Sequence, residues 1–205
     1  MSRIKEWKQE ILEHKYLILL SILFLIIAII LNSVAGNYAD RKGTTSVPDL
    51  ILDNLPTLDL DFLFIYGFTL ILLVFLLYTL FFRVKELHIV ISQFSLLVLI
   101  RSFFVSLTHL SLPVGALIYT APKFFTPLDF QNALFFSGHV SVPFLGFLIF
   151  RKEKIGIFFL IATAVMALTV LFMHVHYSID VFAAFFITYG SYKIGNWMFK
   201  KINNP

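Results

Sequence analysis

The stretch HVHYSID, residues 174–180, places two histidines and an aspartate between two long apolar runs. His176 and Asp180 are four residues apart, one helical turn, so the carboxylate can hold one imidazole N–H. The other ring nitrogen then faces outward as a nucleophile or a base. Taken alone, the pair reads equally well as a polar cap on a helix start. A second stretch, FFSGHV at 135–140, carries Ser137 and Gly138, residues suited to a tight entry into a helix. Such an entry aims backbone N–H groups at an anion, and His139 stands beside it as a proton donor. The plain alternative is an ordinary N-cap. The third feature is Arg101, set inside LLVLIRSFFVSLTHL. A guanidinium inside an apolar helix costs several kcal/mol unless it is paired or faces a polar cavity. It reads either as a structural partner of Asp59, Asp61 or Asp180, or as a two-pronged clamp on phosphate.

Together these groups describe a phosphoester site. One histidine attacks phosphorus and becomes phosphohistidine, and the other protonates the leaving alkoxide. The arginine and the helix amides hold the non-bridging oxygens. No Gly-rich phosphate loop of the nucleotide-binding kind is present, which argues against a nucleotide substrate.

The elements that must position these groups are membrane helices. The chain has 205 residues, is 59% hydrophobic and 14% charged, and contains 25 phenylalanines. Its mean hydropathy is +0.89. A soluble domain of this size has too little interior to hide that much apolar surface, and a helix of about 20 apolar residues crosses a bilayer. The chain has no cysteine, so disulfides, thiolate ligands and a cysteine nucleophile are excluded. The net charge of +4 comes mostly from residues flanking apolar runs, where they orient helices rather than bind nucleic acid.

Residues 1–14 predict an interfacial amphipathic helix, with Ile4, Trp7, Ile11 and Leu12 on one face and Lys5, Glu6, Lys8 and Glu10 largely elsewhere. Residues 15–200 predict one transmembrane domain of six helices. The first span, from Tyr16 to Gly36, starts basic and ends in Ser33-Val34-Ala35 like a signal peptide, but its apolar run is about twice the usual length, which predicts an uncleaved anchor. Further spans are expected at 59–82, at 88–110, and near 134–150, 155–173 and 178–199, with polar residues at 36–58 and a loop holding Pro113, Pro122 and Pro127. With six spans, the basic N-terminal segment, the 83–87 turn, RKEK at 151–154 and Lys200-Lys201 share one side. The lysine and arginine bias makes that side cytoplasmic, with both termini, and puts the histidines on the periplasmic or lumenal side. The opposite loops set Arg41, Lys42 and Lys123 against Asp40, Asp49, Asp53 and Asp129.

These motifs resemble those of the sphingomyelin synthase-related family, a branch of the type 2 phosphatidic acid phosphatase superfamily. HVHYSIDVFAAFFITYG is similar to the family's His-x-His-Tyr-Thr-Ile-Asp motif, and LFFSGHV with TAPK at 120–123 to another. IRSFFVSLTHLSLPV and VPDLILDNLP resemble two more. The resemblance runs from about residue 46 to 190. It implies a triad of His139, His176 and Asp180, with His176 as the nucleophile. It also implies substrate contacts from Arg101, Ser137, Gly138, His174, Tyr177, Asp49 and Lys123. The implied reaction moves a phospho-headgroup from a phospholipid donor to ceramide, a diacylglycerol-like alcohol or water, with no cofactor and no metal. The Cys-Gly-Asp that leads into this motif in the family aligns with Gln131-Asn132-Ala133. The Ser-Arg of the phosphatase branch aligns with Thr169-Val170, which favours the synthase-like branch. A lipid phosphate phosphatase using the same residues is the nearest alternative. Others are a zinc hydrolase built on His139, His174, His176 and Asp180, and a transporter or scramblase with an intramembrane polar network.

Overall fold

In a computed structural model the chain is all-helical, and residues 3–118 and 130–203 are described, the side chains at 3, 4, 6 and 200–203 apart. Seven α-helices follow in order: α1 (Arg3–Glu13), α2 (Lys15–Lys42), α3 (Phe68–Phe82), α4 (Leu87–Leu107), α5 (Gly138–Phe150), α6 (Lys154–Phe172) and α7 (Ser178–Asn203). A π-helical turn, Leu63–Gly67, leads into α3. No strand occurs among the described residues, where Thr45 and Leu110 form one isolated parallel bridge.

Four helical stretches are long and apolar enough to cross a membrane, namely Lys15–Lys42, Leu63–Phe82, Val84–Leu107 and Lys154–Phe172. That is the make-up of a multi-pass membrane protein. The span expected at 134–150 is a shorter apolar helix of 13 residues, because residues 134–137 stay out of it and it begins only at Gly138. The segment expected at 178–199 is helical and extends to Asn203, but it is not among those four. Asp180, Lys193 and Asn196 interrupt its apolar character.

The α2 helix, the first expected span, outruns its expected end at Gly36 and continues to Lys42. Gly36 serves close packing rather than chain reversal, since a Cβ there would lie 2.4 Å from the Phe130 ring. The helix stops at Gly43, whose N–H caps the Ala39 carbonyl at 2.7 Å. Gly146 likewise lets α5 lie against α6, as its Cβ would come within 2.6 Å of Phe159.

The two ends of the bundle are held differently. At one end Arg83 pairs with Glu86 and Glu153, each at 2.6 Å, and Tyr78 donates to Glu153 at 2.5 Å. The α1 helix docks there through Trp7, whose Nε1 donates to the Leu80 carbonyl at 2.8 Å, and through a Glu10–Lys85 pair at 3.1 Å. Leu12 stays exposed. The basic N-terminal segment, the 83–87 turn and the RKEK loop therefore share an end.

At the other end, loops converge on the start of α7. Asp49 Oδ1 accepts from the N–H groups of Ile51 (2.9 Å) and Leu52 (3.1 Å), and Oδ2 accepts from Ser178 N at 2.7 Å. Tyr177 Oη donates to Ser111 O at 2.9 Å and accepts from Val47 N at 3.1 Å. One phenol thus ties two loops to α7. Its burial pushes the phenol up, the Val47 N–H works against this, and the Asp180 and Asp49 charges add to the rise. For Asp49, burial alone would raise the carboxyl. The donors Leu52, Ser178 and Ile51 outweigh burial and hold it below its ordinary value of 3.8.

Asp49→Ala should strand three backbone donors, two of them Leu52 and Ser178 at helical turns, and destabilise the protein by about 2 kcal/mol. The readout is a lowered unfolding midpoint in detergent. A lowered folded pKa means that Asp49 stabilises the fold above its unfolded value and stops doing so as pH falls through the folded one. The gap between wild type and Asp49→Ala should accordingly narrow in strong acid.

Candidate active site

The two histidine stretches meet through Asp180. Its side chain is 1% exposed. Oδ2 accepts from Tyr177 N at 3.0 Å and lies 3.4 Å from His176 Nδ1. Its backbone carbonyl accepts from Ser137 N at 3.2 Å. One residue therefore fixes the ring of His176 and the chain entering α5. With Nδ1 toward Asp180, Nε2 of His176 is the nitrogen left to act.

Ser137 is the N-cap position of α5, in extended conformation (φ −60°, ψ 118°). Its hydroxyl does not cap the helix and is buried with no hydrogen-bond partner among the described residues, while its carbonyl receives Ser141 N at 3.0 Å and Ser141 Oγ at 2.6 Å. The helix begins at Gly138, and His139 follows directly. The His139 ring stacks on Phe64 (centroids 3.9 Å apart, 22°) and packs against Phe68 (4.2 Å, 42°). Phe64 lies within the π-helical turn, an irregularity that is frequent at functional sites, and Phe68 directly follows it; the two rings fix the imidazole's orientation.

Arg101 reaches the same place from α4. Its Nε donates to Phe136 O at 3.0 Å, Nη1 to Asn32 Oδ1 at 3.2 Å, and Nη2 to Ala133 O. The described hydrogen-bond partners are thus carbonyl-type oxygens rather than the carboxylates of Asp59, Asp61 or Asp180. Asp59 Oδ1 instead caps Asp61 N at 3.1 Å. Arg101 clasps the segment leading into α5, and Gly138 passes close by, where a Cβ would lie 3.4 Å from Arg101 Nε.

His139, His176, Arg101 and Gly138 line one cavity of about 350 Å³. Its remaining walls are largely apolar, among them Ile29 from α2, Phe94 and Val98 from α4, and Leu117 and Ile118 from the loop after α4. The other expected contacts lie behind this surface. His174 adopts a left-handed backbone (φ 55°), and its Nδ1 sits 3.3 Å from Val114 O while Nε2 is buried with no partner among the described residues. Tyr177 and Asp49 are engaged in tying loops to α7, and Ser137 turns its hydroxyl into the interior. Lys123, with the TAPK stretch, lies outside the described residues.

Among the described residues, one trio of possible metal ligands converges to within 4.8 Å, namely Glu10, Glu13 and His14 at the far end of the bundle. The set His139, His174, His176 and Asp180 is not brought to that spacing. Three cavity residues had escaped the reading of the sequence: Phe64, Phe68 and Asn32. Two phenylalanines among 25 carry no signal of their own. Asn32 does carry one, since it is the first strongly polar side chain after a long apolar run.

The chain matches no family model, no curated protein and no solved structure.

Arg101→Lys keeps the charge, but one ammonium cannot serve three oxygens held in the guanidinium plane. Carbonyls of Ala133 and Phe136 should then go short of a donor. The expected result is a loss of about 2 kcal/mol, measured as a lower unfolding midpoint, together with faster proteolysis of the 130–137 segment.

Proposed function

We propose that the protein is a membrane phospholipid headgroup phosphotransferase, similar to sphingomyelin or ceramide-phosphoethanolamine synthases, acting through a phosphohistidine. The observation that carries this reading is the convergence of His176, His139 and Arg101 on one largely apolar cavity, with Asp180 behind His176. A lipid phosphoester needs both a polar reacting end and apolar walls for its chains. A six-span topology, with the histidines at the non-cytoplasmic headgroup level and both termini cytoplasmic, completes the proposal. The grouping of the basic segments at the opposite end supports it.

In the first step, the His176 Nε2 lone pair forms a bond to phosphorus and the phosphorus–oxygen bond to the glycerol backbone breaks. The departing oxygen takes a proton from His139, releasing diacylglycerol. In the second step, an acceptor hydroxyl gives its proton to His139 and its oxygen bonds to phosphorus. The phosphorus–nitrogen bond breaks and returns its pair to His176. Asp180 holds the ring and offsets positive charge on it while phosphorus is attached. Water as acceptor gives phospholipase C-like hydrolysis by the same steps.

Mass spectrometry of lipids after incubation of the purified protein with mixed phospholipids, with and without ceramide, tests the reading. Headgroup-bearing phosphate on ceramide, or released to water, supports it. Release of inorganic phosphate from phosphatidic acid alone would replace it with a lipid phosphate phosphatase. His176→Ala should lower turnover below a few per cent of wild type. Asp180→Asn should leave a small residual rate, because the imidazole remains but loses its orientation.

Sidedness is checked with single cysteines. Leu50, 85% exposed at the end that carries the histidines, should react as Leu50→Cys with an impermeant thiol reagent from outside, whereas Lys152→Cys should not. The reverse pattern would put the chemistry on the cytoplasmic leaflet.

A further inference from the structure

The cavity changes character along its length. Arg101, His139 and His176 line one part of it. On α4 the further lining residues are Val98 and Phe94, which lie from Arg101 toward the Arg83 end of the bundle. At a rise of 1.5 Å per residue, Phe94 is about 10 Å from the level of Arg101. On α3 and the π turn before it, Ile65, Phe68, Thr69 and Leu72 line the same space and are all half-buried. Their i, i+3, i+4, i+7 spacing is that of one helix face. A second face, with Tyr66, Leu70, Leu73 and Leu77, is exposed, and a third, with Phe64, Ile71 and Phe75, is buried in the core. The cavity face is therefore distinct from the outer surface of the helix.

This lower part of the cavity is apolar in effect. Thr69 is the one hydroxyl on its α3 wall, and it donates to the Ile65 carbonyl at 2.7 Å, turned back onto its own helix. Among the described residues the lining stops at Leu72 on α3 and at Phe94 on α4. Phe94 there packs on Phe75 (6.0 Å, 44°), which in turn meets Phe150 and Phe159 edge-on, each at 5.8 Å. The slot thus ends on an aromatic floor.

We infer that this slot is a subsite for one acyl chain of the phospholipid donor, entered from the level of Arg101 and the histidines and closed by Leu72 and Phe94. The inference deepens the reading of the cavity as a lipid phosphoester site and rests on it. A volume of about 350 Å³ is at the small end of pockets that hold one compact ligand, and the phosphate end takes part of it, so the second chain stays in the bilayer. The floor sets how many methylenes next to the headgroup are held by protein, and the remainder of a long chain turns out into the lipid. Because lipid tails are as apolar as the slot, moving methylenes from one to the other adds little affinity. The slot's contribution is position: a chain fixed on one side of the phosphate aligns phosphorus with His176. The alternative is that only the headgroup docks and both chains remain in the bilayer.

Photolabelling separates the two accounts without requiring turnover. The purified full chain carrying His176→Ala, in detergent, is irradiated with a phosphatidylcholine bearing a diazirine in the middle of one acyl chain. Labelled residues are mapped by mass spectrometry with and without excess dihexanoyl phosphatidylcholine. Label on Thr69, Leu72, Phe94 or Val98 that the competitor removes is the expected result, whereas label on Leu73 and Leu77 should not respond to it. Adding Leu72→Trp, whose indole fills the slot, should lower the competed labelling at least ~10-fold with the unfolding midpoint retained. A second probe, with its diazirine beside the headgroup, should keep its competed label near His139 and Arg101 in both chains. Mid-chain label confined to the exposed faces, or competed label that survives Leu72→Trp, overturns the inference and leaves the phosphoester reading standing if the headgroup probe is still competed. Absence of competed label from both probes removes that reading and the inference with it. Should Leu72→Trp not fold, the residue map of the chain with Leu72 intact decides alone.

Discussion

The site hangs on Asp180. Its carboxylate orients His176 and caps the turn at Tyr177, while its carbonyl takes the N–H of Ser137. Side chain and main chain of one residue thus couple the start of α7 to the start of α5, and so place the two histidines relative to each other. A buried carboxylate is tolerated here because Oδ2 accepts from the Tyr177 N–H and a potential cation, His176, lies beside it. Removing it would leave the Tyr177 N–H without its acceptor and His176 without its guide. The coupling also explains why α5 starts late. Residues 134–137 are committed to Arg101 and Asp180, through the carbonyl of Phe136 and the N–H of Ser137, and cannot join the helix.

Around that hub the chain handles polarity under a membrane constraint. Hydroxyls within the apolar helices bond back to carbonyls one turn earlier: Thr79 to Phe75, Ser95 to Ile91, Ser102 to Val98 and Thr163 to Phe159. In hydrocarbon every polar group has to find a partner inside the protein, and this local bond needs no neighbouring helix. Longer-range polar contacts are concentrated at the two ends. One is a charged knot of Arg83, Glu86, Glu153 and Tyr78. The other is a network of loop amides and carbonyls around Asp49 and Tyr177. Between them, packing is aromatic and aliphatic, with Phe75, Phe150 and Phe159 in mutual edge and stacked contacts. A break in helical regularity near the cavity, the Leu63–Gly67 π turn, lies where Phe64 and Phe68 both reach His139.

Local patterns in the sequence determined the helical class, most helix positions and the His176–Asp180 pairing. Each depends on spacing within one segment: about 20 apolar residues for a span, four residues for a side-chain pair on one face. They also marked Gly138 as a helix start and His139 as its neighbour. The tertiary structure decided the rest, because it depends on segments far apart in the chain. Arg101 was legible as an unusual residue, but its partners at 32, 133 and 136 were not. Asp49 and Tyr177 look in the sequence like site residues, and in the fold they hold loops to α7, since a buried carboxylate or phenol must take whatever backbone donors and acceptors surround it. Asn32 shows the same limit from the other side. A single asparagine ending an apolar run is an ordinary helix end in the sequence, and only the packing of α2 against α4 makes it a wall of the cavity.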